Sequence, residues 1–120
     1  MTKFPTIDPE AIDHLRSLNP GDNDEFLREI IGIFLEDTPL RIAELDTSLA
    51  ASDKERFTRA AHSIKGSSAN LGALALRSVA EKLEHHSNHE GLTNVSGMIA
   101  DINTQFALAR DELNRITGAA

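Results

Sequence analysis

From position 92 onward the apolar residues Leu92, Val95, Ile99, Ile102, Phe106, Ala109, Leu113 and Ile116 recur at alternating steps of three and four. That spacing lines one side of an α-helix and is unusable by a strand, whose side chains repeat every two residues. A stripe this long has to be covered by other elements. The rest of the chain offers partners of the same kind.

Asp22-Asn23-Asp24-Glu25 has the pattern of a capping box, and after it Leu27, Ile30, Ile31, Phe34, Thr38, Ile42, Leu45 and Leu49 mark a second stripe, predicting a helix over about 23–51. Pro39 lies inside it and predicts a kink rather than a break, because the stripe keeps its phase across the proline. Ser52-Asp53-Lys54-Glu55 reads as a further capping box, opening a helix that turns Phe57, Ala61, Ile64, Ser68 and Leu71 inward and stops at Gly72. Leu76, Val79, Ala80 and Leu83 define another helix over about 73–87, followed by a polar turn, Ser87-Asn88-His89-Glu90-Gly91. Near the start, Asp8-Pro9 resembles an N-cap with proline in the first turn. A short helix over about 8–18 carries Ile12, Leu15 and Leu18 and is ended by Asn19-Pro20-Gly21. With one stripe per helix and short connections, the sequence predicts an all-α fold: an antiparallel four-helix bundle, core about 22–117, with an additional short N-terminal helix. Residues 1–120 form a single domain on this reading, and the 117–120 end is expected to fray.

Composition narrows the function. A net charge of −7, with no Lys/Arg cluster interleaved with aromatics, gives no footprint for nucleic acid. No apolar run approaches membrane-spanning length and there is no cysteine, so no membrane partner is expected and a cytoplasmic protein fits. No Walker motif, phosphate-cradling glycine loop or kinase signature is present.

One residue stands apart from the bundle pattern. On the third helix His62 points roughly 140° from the centre of the apolar face and so towards solvent. Its helical neighbours on that side are Thr58 and Arg59 one turn before, Lys65 and Gly66 one turn after, and Ala69 two turns after. A mid-helix glycine costs about 1 kcal/mol relative to alanine, so Gly66 at i+4 from an exposed imidazole suggests space kept for another protein. A histidine that accepts a phosphoryl group needs one free ring nitrogen, an acceptor that fixes the other, and a cation nearby. Lys65 supplies the cation, and Glu84, at the edge of the next helix's stripe, is the candidate acceptor. Taken singly, each of these residues reads as an ordinary surface side chain.

Taken together they resemble a family. His62-Ser63-Ile64-Lys65-Gly66-Ser67-Ser68-Ala69-Asn70-Leu71-Gly72-Ala73, preceded by Ala60-Ala61 and followed on the next helix by Leu83-Glu84, resembles the signature of histidine-containing phosphotransfer (HPt) domains. The stretch Phe34-Leu35-Glu36-Asp37-Thr38-Pro39 extends the resemblance, which covers roughly residues 22–115. It implies that His62 is the phospho-acceptor, with Lys65 and Gly66 in their usual roles and Glu84 where some members carry a ring-bonding glutamine.

The resemblance further implies a phosphocarrier without kinase activity of its own. Its partners would be response-regulator receiver domains and a hybrid sensor histidine kinase. The chain would bind no cofactor, and Mg²⁺ would be held by the receiver. A monomer is expected, free-standing to judge by Met1 and the complete bundle. A receiver should dock over Thr58, Arg59 and Ala69 and touch Ile12 or Leu15 of the first helix. Two other readings stay open: a receiver-binding module that accepts no phosphate, and a metal-binding bundle using His85, His86 and His89, of which His85 and His89 stand at i, i+4.

Overall fold

The computed structural model describes residues 4–118. In chain order the helices are α1 (Pro9–Leu18), α2 (Glu25–Ala50), α3 (Lys54–Asn70), α4 (Leu74–Glu90) and α5 (Ser96–Thr117), with no strand among the described residues. Of the end expected to fray, Thr117 is still helical, Gly118 closes α5 in a left-handed conformation, and residues 119–120 lie outside the described residues.

Helices α2 to α5 form the antiparallel bundle. Helix α3 packs most extensively on α4 and next on α2, α5 closes against α4 and α2, and α1 leans on α2. The seam is filled by Leu45, Phe57, Ile64, Leu76, Leu83, Ile102 and Leu113, all fully buried. Among the described residues no helix is long and apolar enough to cross a membrane.

The helix ends show how the sequence fixes the connections. Asp8 caps α1, its Oδ1 accepting from Glu10 N–H at 3.1 Å. At α2 the N-cap is Asp24, which makes no side-chain cap bond, and the acceptor comes from Asp22 instead, whose Oδ2 receives Phe26 N–H at 3.1 Å. Asn23 and Asp24 take positive φ, so the Asp24 carboxylate turns back to Arg16 Nε on α1, 3.1 Å away. Ser52 is not the cap of α3. It holds φ +55 and ends α2 instead, its N–H bonding Leu49 O and that of Asp53 bonding Ser48 O. The capping acceptor is the next residue, Asp53, which receives Arg56 N–H at 3.2 Å.

The same paired bonds close α3, from Gly72 N–H to Ala69 O and from Ala73 N–H to Ser68 O. Gly72 has φ +70, and a Cβ there would lie 2.5 Å from that of Ala11, so the turn is glycine for conformation and for contact. This turn also seats the N-terminal segment, through Asp8 N–H to Gly72 O and Ala75 N–H to Pro5 O.

Helix α2 runs unbroken through Pro39, which is exposed on its outer side, in keeping with the expectation that the proline does not break it. Two expectations are corrected. Helix α4 continues to Glu90, three residues past the expected end, because Ser87 carries on the spacing of Leu76, Ala80 and Leu83 and is fully buried. Helix α5 starts only at Ser96, so Leu92 and Val95 belong to the connection, with Val95 buried beneath it.

Candidate functional site

The three-residue connection at 71–73 folds α4 back along α3 and brings the middle of each helix alongside the other. Here the His62 side chain is 64% exposed, and its Nδ1 lies 2.7 Å from Glu84 Oε2. The other oxygen of the same carboxylate, Oε1, is 2.6 Å from Lys65 Nζ.

Glu84 holds its proton less tightly than an ordinary carboxyl. Burial is the largest single influence and raises its pKa, but the hydrogen bonds from Lys65 and His62 and the charges of both together prevail and lower it. An ionised carboxylate only accepts, so Nδ1 carries the hydrogen of this bond, and in the neutral form of the ring Nε2 keeps its lone pair. The ring is therefore held at one nitrogen and presented at the other.

The remaining predicted residues divide. Arg59 is exposed and lines the open groove beside His62 with Lys54, Thr58 and Asn88. Gly66 and Ala69 are exposed on the far side, and a Cβ on Gly66 would meet nothing within 4 Å. Thr58 is half-buried and its hydroxyl is already engaged, 2.7 Å from Ser87 Oγ on α4.

Ile12 is not a docking residue. It is 2% exposed and belongs to the core, because α1 turns that side inward; Leu15 is half-buried and packs against the same core. The spacing of Ile12 and Leu15 marks an apolar side on α1 without saying whether a partner or this chain's own core covers it.

Sequence reasoning missed Ser87, which it took for a turn residue. Its Oγ donates to Glu84 O at 3.1 Å while meeting the Thr58 hydroxyl. The signal was the stripe 76, 80, 83, 87, whose last member is polar. His85 and His89 do share a helical face, with ring centroids 4.2 Å apart, but His86 is turned away, its Nε2 2.7 Å from Thr93 O. Among the described residues no three His, Cys, Asp or Glu side chains converge as a metal centre requires.

An antiparallel helical bundle that anchors one imidazole nitrogen and offers the other to solvent defines a class, the histidine-presenting bundles. The chain belongs to the Hpt domain family, whose model matches residues 29–118. It is 32% identical over 80 residues to multistep phosphorelay regulator 1 of Schizosaccharomyces pombe, a match covering 67% of this chain and 27% of that protein. The chain thus corresponds to about a quarter of that relative's length. Its fold is that of histidine-containing phosphotransfer protein B from Pseudomonas aeruginosa, with a TM-score of 0.86 over 98% of this chain and 99% of the other, at 24% identity.

Proposed function

We propose that the chain is a phosphorelay intermediate in which His62 accepts a phosphoryl group from a receiver-domain phosphoaspartate and passes it to another receiver. The observation that carries this is the Nδ1 bond to Glu84 on an otherwise exposed ring. Family membership supports the same reaction.

In the forward step the lone pair of Nε2 attacks phosphorus in line, the N–P bond forms, and the P–O bond to the aspartate breaks to release its carboxylate. Because Nδ1 keeps its hydrogen, the phosphorylated ring becomes cationic. Glu84 faces that developing charge and stabilises it without receiving the proton, which leaves the transfer reversible. Lys65, held beside the ring by Glu84, offsets the phosphoryl oxygens, as does Arg59 from the groove side. The donor set at His62 is an imidazole and a carboxylate already bonded to a lysine, which suits no divalent cation. On this reading the Mg²⁺ that such transfers use belongs to the receiver. The reading also carries a monomeric state, a cytoplasmic location and an upstream hybrid sensor kinase.

Replacing His62 with Gln should abolish acid-labile phosphorylation by a receiver charged with acetyl phosphate, with the circular dichroism spectrum unchanged. Retained labelling of the folded variant would overturn the assignment of His62, whereas a parent chain that binds the receiver and takes no label would leave a receiver-binding module. On the same face, Gly66→Leu should keep full helicity and block transfer, since the space it fills is open in the free protein and is needed by the partner.

A further inference from the structure

We infer that Thr58 and Ser87 form a positioning clasp that sets the register of α3 against α4, so that Glu84 meets the His62 ring. Thr58 stands four residues before His62 and Ser87 three after Glu84, so the two cross-helix bonds lie one turn apart on the same seam. The inference rests on the phosphotransfer reading for its consequence, though not for its geometry.

The direction of the clasp follows from the hydrogens available. Ser87 has one hydroxyl hydrogen and donates it to Glu84 O at 3.1 Å. Towards Thr58, at 2.7 Å, Ser87 Oγ therefore accepts and Thr58 donates. The chain runs from Thr58 through Ser87 to the backbone carbonyl of the residue whose carboxylate holds the imidazole. The α3 hydroxyl thereby reaches Glu84 from below while His62 reaches it from above.

Apolar contact alone would not fix this alignment. The neighbouring seam is made by Ala60, Ala61, Ala80 and Leu83, all buried, and attraction between such side chains has no preferred direction. Sliding one helix by a single residue, about 1.5 Å, would keep most of that contact while breaking a directional bond. Ser87 is fully buried, so its lost partner could not be replaced by water. The ring is thus aligned by a polar pair it never touches.

The test uses the whole chain, ¹⁵N-labelled, with Thr58→Val, Ser87→Ala and the conservative Thr58→Ser. Imidazole ¹⁵N shifts report the His62 tautomer, and phosphoramidate serves as a small phosphoryl donor, with His62→Gln giving the background from other histidines. All are compared at a temperature where circular dichroism shows each protein folded. The Val and Ala variants should lose the strong preference for hydrogen on Nδ1 and be phosphorylated about fivefold more slowly, the order expected for losing one neutral hydrogen bond. Thr58→Ser should restore both. Variants that melt earlier but keep the parent tautomer and rate would overturn the clasp, as would failure of Thr58→Ser to rescue. If the parent chain takes no phosphate at His62, the phosphotransfer reading fails, while the tautomer shifts still decide the clasp.

Discussion

Glu84 serves two donors with one carboxylate, and its depressed pKa makes that service pH-dependent. Because the folded-state value lies below the unfolded one, the unfolded chain takes up more protons as pH drops through the ordinary carboxylate range, near about 4.3. The stability this group contributes is complete above that range and disappears as pH falls through the depressed folded value. Urea titrations of the parent and Glu84→Gln should therefore differ by a constant amount near neutrality, with the gap narrowing on acidification; a gap independent of pH would contradict the sign. His62, Lys65 and Gly66 were legible in the sequence from helical spacing and a twelve-residue signature, and Glu84 from its place at the edge of the next helix's stripe. Thr58 was legible only as a neighbour of His62. Its hydroxyl bond to Ser87 depends on how two helices align, which the periodicity of either one does not contain.

Among the elements, the turn between α3 and α4 does most to decide whether the site forms. Gly72 combines φ +70 with a position where a Cβ would press on Ala11, so Gly72→Ala should destabilise the protein by about 1–3 kcal/mol, read from the urea midpoint. Gly66 is its opposite. It has ordinary helical geometry and open space, so Gly66→Ala should stabilise by about 1 kcal/mol in the same assay. The sequence marks Gly72 as a helix stop, as observed, and Gly66 as an exposed mid-helix glycine, around which the structure leaves open space. Helix ends were harder to read. The αL residue that finishes one helix and the cap that starts the next compete for adjacent positions, and at 52–53 the serine took the first role and the aspartate the second. Ser87 misled for a related reason, because a buried serine satisfied by its own helix looks in sequence like a loop residue.

At the scale of the molecule, α1 is part of the domain rather than an appendage. It is joined through Asp8 to Gly72, through Arg16 to Asp24 and through Ile12 to the core. Ile12→Ala should accordingly cost about 2–5 kcal/mol of unfolding free energy while leaving phosphorylation of the folded fraction unimpaired, a result that would separate packing from docking. The bundle itself was readable from four stripes and short connections, whereas the seating of α1 relies on close backbone approach that apolar spacing does not record. The central position of α3 has a consequence for timescale. His62 rides on the helix with the most extensive contacts, away from any loop or terminus. Amide hydrogens of Ile64 and its neighbours should then exchange with solvent only through global opening, with no separate local event at the site. On that outcome the surface around His62 would be either wholly formed or wholly absent, and the motion left to the residue itself would be the swing of its own ring.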